Sequence, residues 1–427
     1  MSLFIILSLI ILAVLVVKSD YKILSNTNFW LCVFWGMIIG VYVTSGIRYR
    51  YGFSGPLILF LIACVLFFCH CQKIGSKRRT YVFDDSQILR GRIEFTLLGL
   101  LGAFLFTWDY LRLNGFATVK GDSDISLIGS VGSLFIPILL VVGIYQNALS
   151  IKLQNRYNVT GILLIFIYSL PCIINAGREA ILFGIISILC LYGYNKKLAV
   201  NQIRIRSPKR LKSKVLIVLA VVVCLVASLY LLIQLSISRF TQNEINVLLS
   251  KNDISSIAMR DAESWGDLEF LYYNIASYFS HQIPFLDFTL REYDGPYMCG
   301  MYELNIISRR LPDALGLDYK LVSKELERLY SIKAESFSGG WNTVIGSFII
   351  DFTWVGAIIA CGLCGFAIGK IKKKFEYSLD ERYATLIALL CLSTFSTIQL
   401  GPFYQTQIYG AYIWWYIMFR KKEIKRI

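Results

Sequence analysis

Residues 342 to 369 read NTVIGSFIIDFTWVGAIIACGLCGFAIG, and Asp351 is the only charged residue in this stretch. A helix needs about 20 apolar residues to cross the hydrocarbon layer of a membrane, and a buried helix of a soluble domain is usually shorter. The length and the apolar character of this stretch therefore predict a transmembrane helix.

Ten further stretches along the chain have a similar character. Composition agrees with many spans, because 56% of the residues are hydrophobic and 17% are charged, against about 25% in an ordinary globular chain. The sequence predicts an all-α polytopic membrane protein and excludes a set of soluble domains. The predicted spans lie near residues 3–17, 29–45, 53–71, 88–107, 126–145, 158–174, 179–194, 215–235, 342–369, 383–398 and 406–419.

The orientation follows from the basic residues, because short loops rich in Lys and Arg stay in the cytoplasm. With the C-terminus inside and the N-terminus outside, 28 of the 43 Lys and Arg residues fall in inner loops and span ends. The net charge of +15 is then explained by membrane orientation. A nucleic acid partner, which such a charge would suggest for a soluble protein, is not expected.

One long segment divides the chain into three parts. Residues 1–235 hold the first eight spans, residues 236–341 form an extracytoplasmic (periplasmic) loop domain, and residues 342–427 hold the last three spans and a basic cytoplasmic tail. Long loops outside a membrane are usually functional. Within this loop, residues 321–334 have apolar residues at helical spacing and predict an amphipathic helix. Prolines are expected to break the loop into short pieces: Pro284, Pro296 and Pro312.

Small motifs point to packing more than to chemistry. Cys361 and Cys364 form a CxxC inside an apolar span, where a packing role is favoured over thiol exchange. No phosphate-cradling Gly-rich loop and no complete set of metal ligands occurs, so neither a cofactor nor a metal is expected. Two glycine pairs have the GxxxG spacing that lets helices approach closely, namely Gly36 with Gly40 and Gly365 with Gly369.

Ionisable residues within the membrane are costly and tend to mark functional sites. Arg178 and Glu179 lie in a short outer turn between two spans, and Asp351 lies about ten residues into the ninth span. For Arg178 the alternative is a side chain that snorkels to the interface, and we favour the functional interpretation. For Asp351 a helix-packing hydrogen bond is an equally good interpretation.

The long loop supplies further candidates. Arginine suits a site that binds pyrophosphate without metal, because its planar fork bonds two phosphate oxygens and stays charged. The alternative for many of these residues is solvation or pairing with a neighbouring acid. His281 is either a general base for a sugar hydroxyl or a hydrogen-bonded histidine at the interface. Aromatic residues such as Trp341 either stack on sugars or anchor the loop at the membrane surface. The arginines concerned are Arg239, Arg260, Arg291, Arg309 and Arg310.

Three stretches and the whole plan resemble a known family. The stretches are AGREAILF from Ala176, YDGPYMCGMYELNIISRRL from Tyr293 and WNTVIGSFIIDFTWVG from Trp341. Together with ten to twelve spans and one large outer loop, they resemble the oligosaccharide repeat-unit polymerases of bacterial surface polysaccharides, the O-antigen polymerase (Wzy) family. Two departures occur, since Thr353 stands where the family often has Gly after Asp-Phe, and the Gly-aromatic-Thr motif is degraded at residues 297–299.

The resemblance implies a fold like that of the GT-C glycosyltransferases and a metal-independent enzyme of lipopolysaccharide biosynthesis in the bacterial inner membrane. The substrates would be oligosaccharides linked to undecaprenyl pyrophosphate, membrane lipid would surround the spans, and a chain-length regulator protein is a candidate partner. The growing glycan would be transferred to the next lipid-linked repeat unit on the periplasmic face.

The resemblance also implies roles for the candidate residues. Arg178 and Arg291 would neutralise the leaving pyrophosphate, and His281 or an acid such as Glu179 would activate the acceptor hydroxyl. The residues assigned to substrate binding are Arg239, Arg260, Arg309, Arg310, Trp341 and Asp351.

Three other functions stay open at the level of sequence. An O-antigen ligase would use the same donor and transfer the finished glycan to a lipid A core. A flippase or transporter of the lipid-linked unit would normally show internal repeats of helices, and the sequence has none that we recognise. A structural scaffold with a sensing loop would leave Arg178 and Asp351 without a function.

Overall fold

The computed structural model describes the protein in twelve stretches, and everything below concerns these residues. The described residues are 24–44, 47–48, 51–76, 92–114, 126–154, 156–174, 179–201, 253–254, 279–294, 297–304, 343–398 and 406–419.

The regular secondary structure of the described residues is helical apart from one antiparallel pair of two-residue strands. The helices are α1 (Thr27–Thr44), α2 (Gly55–Gly75), α3 (Arg92–Asn114), α4 (Leu127–Gln154), α5 (Val159–Ile174), α6 (Glu179–Asn201), α7 (Gln282–Glu292), α8 (Val344–Ser378), α9 (Glu381–Ser396) and α10 (Thr406–Phe419). Strands β1 (Ile47–Arg48) and β2 (Asp253–Ile254) pair Ile47 with Ile254 and Arg48 with Asp253. The pair ties the chain just after α1 to the long loop.

The prediction of an all-α membrane protein is confirmed in its coarse form. Nine of the predicted spans each coincide with one helix. Within the described ranges, five helices are long and apolar enough to cross a membrane: α1, α2, α3, α4 and α8. Shorter apolar helices occupy Val159–Pro171 and Leu182–Asn195. The predicted spans at 3–17 and 215–235 and the predicted helix at 321–334 lie outside the described residues, so the count of eleven spans stays a prediction.

The core of the bundle is built around α4 and α9. Nearly every side chain of α9 is buried, and α4 is buried without interruption from Ile136 to Tyr145. Helix α4 packs against α3, α5, α6, α9 and α10. A lipid-facing helix keeps an exposed apolar face, whereas a helix whose side chains are buried on all sides lies in the interior of the bundle. These two helices therefore form the centre on which the others pack.

Helix α8 packs along α2 through glycines. A Cβ atom on Gly365 would lie 2.3 Å from the carbonyl oxygen of Phe68, and one on Gly369 would lie 2.2 Å from that of Gln72. The GxxxG prediction at Gly365 and Gly369 is confirmed, because only glycine permits this approach. Among the described residues, a Cβ atom on Gly36 would meet nothing within 4 Å, so the close approach at Gly36 and Gly40 stays a prediction.

Polar contacts at one end of the bundle join residues that the orientation prediction assigns to the inner side. Lys152 at the end of α4 forms an ion pair of 2.8 Å with Glu381 at the start of α9. Asn28 in α1 and Gln72 in α2 exchange two amide hydrogen bonds of 2.9 and 3.0 Å. The end of the bundle where α1 ends and α2 begins is called the outer end below, following that prediction.

Candidate functional site

The candidate site lies at the outer end, where α8 is broken. Thr353 has φ 71° and ψ 171°, values that interrupt the helix after eight or nine residues. The interruption leaves two carbonyl oxygens without their helical partners, and both accept hydrogen bonds from the turn at residues 297–304. The N–H of Met298 donates to the oxygen of Ile350 at 3.3 Å, and that of Cys299 donates to the oxygen of Asp351 at 3.0 Å. The broken backbone is thus satisfied by protein, as an irregular segment at membrane depth requires.

Asp351 holds the same turn through its side chain. Its Oδ1 accepts the backbone N–H of Tyr302 at 2.9 Å, and its Oδ2 accepts that of Glu303 at 3.1 Å. The residue is only 1% exposed. Of the two interpretations offered by the sequence, the packing hydrogen bond is the one present here. The predicted substrate-binding role of Asp351 stays a prediction, and any ligand would have to share carboxylate oxygens that already accept backbone hydrogen bonds.

Helix α7 connects this turn to the first outer loop. Pro284 was expected to break the loop, yet it lies in the first turn of α7, where proline is tolerated because its missing N–H has no partner in a helix. Asp287 is 1% exposed, and its carboxylate accepts the N–H of Gly52 at 3.2 Å and the hydroxyl of Ser54. Ser54 is also the N-cap of α2, accepting from the N–H of Leu57 at 3.2 Å.

Arg291 lies one turn beyond Asp287 on α7. Its Nη1 is 3.6 Å from Oδ2 of Asp287, and its guanidinium carbon is 5.7 Å from the centre of the Tyr51 ring. The rings of Phe288 and Tyr51 pack in a T-shaped arrangement, with their centres 5.3 Å apart. The Arg291 side chain keeps 45% of its surface exposed. Arg291 is therefore a cation fixed on two sides and open to solvent on another.

His281 directly precedes α7 and is 1% exposed. It lies ten residues before Arg291, and a helix rises about 1.5 Å per residue, so the two are separated by roughly 15 Å along the helix. The structure therefore does not bring His281, the predicted base, next to Arg291, the residue predicted to bind pyrophosphate. The role of His281 as a base stays a prediction.

The other candidates are only partly described. Glu179 is the first residue of α6, and its side chain lies outside the described part of the chain. The remaining predicted site residues also lie outside the described ranges: Arg178, Arg239, Arg260, Arg309, Arg310 and Trp341.

Two residues of the site were missed from sequence. Asp287 carried a usable signal, since an acid four residues before Arg291 on a helix predicts an ion pair. Tyr51 carried none, because it lies in another loop, more than 200 residues away. Within the described ranges, no group of three or more His, Cys, Asp and Glu side chains is arranged to hold a metal ion. No protein-family model, no curated protein and no solved structure matches this chain.

Proposed function

We propose that the chain is a glycosyltransferase that polymerises lipid-linked oligosaccharide repeat units, transferring a growing glycan from undecaprenyl pyrophosphate to the next lipid-linked unit. The observation that carries the proposal is the exposed Arg291, held at the outer end of a membrane helix bundle. A pyrophosphate attached to a membrane lipid would lie where the apolar spans end and the outer loops begin, which is where the orientation prediction puts Arg291.

The local structure supports an anionic ligand at this place. An arginine guanidinium bonds two phosphate oxygens at once and keeps its charge at any physiological pH. Tyr293, two residues after Arg291, adds aromatic surface together with Tyr297, since the centres of the two rings lie 6.2 Å apart and Tyr297 is 52% exposed. Exposed aromatic rings next to a cation suit a ligand that combines sugar rings with a phosphate group.

The proposed reaction forms one bond and breaks one. The acceptor hydroxyl oxygen bonds to the anomeric carbon of the donor glycan, and the bond from that carbon to the pyrophosphate oxygen breaks. The hydroxyl proton passes to a base, for which His281 and Glu179 are the candidates, and the pyrophosphate lipid leaves as an anion. Charge that is fixed in advance where negative charge develops is commonly the largest catalytic contribution, and Arg291 supplies it here.

The experiment uses bacteria that lack the native gene and carry Arg291→Ala, Arg178→Ala or the control Glu292→Gln. Glu292 is the exposed neighbour of Arg291, so the control changes one charge at the same place. We expect both arginine variants to lose the long-chain glycan ladder on a gel and to keep core plus one repeat unit, with a normal ladder for Glu292→Gln. Equal amounts of protein in the membrane are verified by immunoblot.

The gel also decides between the alternatives. A full ladder in both arginine variants would refute the assignment of the arginines to pyrophosphate. Bare core without any repeat unit in the deletion strain would indicate a ligase or a flippase in place of a polymerase.

A further inference from the structure

Asp287 uses its carboxylate mainly to join α7 to the first outer loop. Its bonds to the Gly52 N–H and the Ser54 hydroxyl connect residues more than 230 positions apart in sequence. The contact between its Oδ2 and Nη1 of Arg291 measures 3.6 Å, which is too long for a strong hydrogen bond. Asp287 thus fixes the helix that carries Arg291 and constrains the guanidinium without occupying its donors fully.

Tyr51 restrains the same guanidinium from another side. The centre of the ring lies 5.7 Å from the guanidinium carbon, within the range of a cation–π contact, and the ring itself packs against that of Phe288 in a T-shaped arrangement. A guanidinium carries five N–H donors in a rigid plane. The two restraints fix the direction of that plane, while 45% of the Arg291 side chain stays exposed.

We propose that Asp287 and Tyr51 are positioning residues for Arg291, and that the three residues form a binding site for a phosphate or pyrophosphate group. The first outer loop would then be part of the site. The inference rests on the proposed function only for the natural ligand, the pyrophosphate of a lipid-linked glycan. A guanidinium held in one orientation loses less freedom on binding, so both positioning residues increase the affinity for the anion.

The sign of one substitution separates positioning from simple electrostatics. A carboxylate near an anion site repels the anion, so removal of that charge would tighten binding if charge alone mattered. Asp287→Asn must weaken binding if Asp287 positions Arg291. Glu292→Gln is the matched control, because it removes the same charge from an exposed side chain next to Arg291.

The experiment titrates inorganic pyrophosphate into the purified full-length protein in detergent micelles by calorimetry. We expect Arg291→Ala and Asp287→Asn each to weaken binding about tenfold, within the range of couplings between residues in contact. The double variant Arg291→Ala/Asp287→Asn should bind no more weakly than Arg291→Ala. Wild-type or tighter binding by Asp287→Asn would overturn the inference, and so would additive losses in the double variant.

Tyr51 provides a second test, which decides the matter if Asp287→Asn does not fold. Tyr51→Phe keeps the ring and should bind pyrophosphate like the wild type, whereas Tyr51→Leu should bind severalfold more weakly. Equal binding by Tyr51→Leu and the wild type would overturn the role of Tyr51. Displacement of pyrophosphate by phosphatidylglycerol added to the micelles would assign the site to a lipid headgroup and overturn the pyrophosphate assignment.

The pyrophosphate titration and the glycan gel test the anion site and the polymerase function separately. Pyrophosphate binding that depends on Arg291, in a protein whose loss leaves the ladder intact, would refute the polymerase and keep the anion site. Absence of pyrophosphate binding by the wild type would overturn the anion site, while the ladder would still test the polymerase.

Discussion

Thr353 allows a quantitative test of the break in α8. Its φ of 71° and ψ of 171° lie in a region that essentially only glycine occupies, and a side chain there costs about 1 to 3 kcal/mol. The Thr353 hydroxyl offsets part of this cost, because it accepts the N–H of Gly356 at 3.2 Å and caps the second part of the helix. Such a cap contributes about 1 kcal/mol relative to alanine, and glycine loses only a few tenths of it.

Two substitutions at Thr353 should therefore act in opposite directions. Thr353→Gly removes the strain, at a cost of about 0.5 to 1 kcal/mol for the greater freedom of the unfolded chain, and should leave the stability unchanged or raise it by up to about 2 kcal/mol. Thr353→Ala keeps the strain and loses the cap, and should lower the stability by about 1 kcal/mol. The free energy of unfolding of Thr353→Gly should therefore exceed that of Thr353→Ala by about 1 to 3 kcal/mol.

A continuous helix gives the reverse order, since glycine is about 1 kcal/mol less favourable than alanine in a helix interior. The exposed Ala367, in the unbroken second part of α8, provides the control, and Ala367→Gly should destabilise. Stability is measured in detergent micelles by titration with sodium dodecyl sulfate, followed by circular dichroism. If Thr353→Ala were more stable than Thr353→Gly, the break in α8 would be refuted.

Two further predictions concern contacts of α8. Asp351→Asn leaves one backbone N–H of the turn without its acceptor, which costs about 1 to 3 kcal/mol. Hydrogen exchange of peptides covering residues 297–304 should therefore accelerate about 5- to 150-fold, and unchanged exchange would show that the carboxylate does not hold the turn. Gly365→Ala brings a methyl group against the Phe68 carbonyl and should lower the stability of the protein by about 1 to 3 kcal/mol. The control Gly36→Ala should leave the stability unchanged or raise it. Equal effects of the two substitutions in the same titration would refute the close packing of α8 on α2.

Hydropathy located the helices well and their ends less well. The ninth predicted span was expected to end at residue 369, yet α8 continues to Ser378. The added turns contain four lysines, which lower the mean hydropathy but do not end the helix: Lys370, Lys372, Lys373 and Lys374. Lysine is a good helix former, so the helix extends beyond its apolar part. The apolar run therefore indicates the part of the helix that the membrane or the core can cover. The position at which the helix ends depends on local backbone hydrogen bonds.

The break at Thr353 was not predictable from local sequence. Kinks usually come with proline or glycine, and residues 350 to 355 contain neither. The one sequence signal was the departure from the resembled family, where glycine often stands at position 353. The positive φ of Thr353 gives that departure a physical meaning, because it is the conformation that a glycine would adopt without strain.

Asp351 and Asp287, two of the buried carboxylates among the described residues, connect the sequence to the site in different ways. Asp351 was a candidate from the sequence because a charge within a span is costly. Its carboxylate accepts hydrogen bonds from the turn at residues 297–304, which also donates to the two carbonyl oxygens left free by the break in α8. Asp287 was not a candidate, because an acid in a loop is ordinary until the fold buries it. Each carboxylate holds backbone that carries exposed side chains: Asp351 holds the turn next to Tyr297, and Asp287 holds the first outer loop next to Tyr51. At these two places a buried carboxylate supports the candidate site, and the groups that would meet a ligand are the exposed residues nearby, Arg291 first among them.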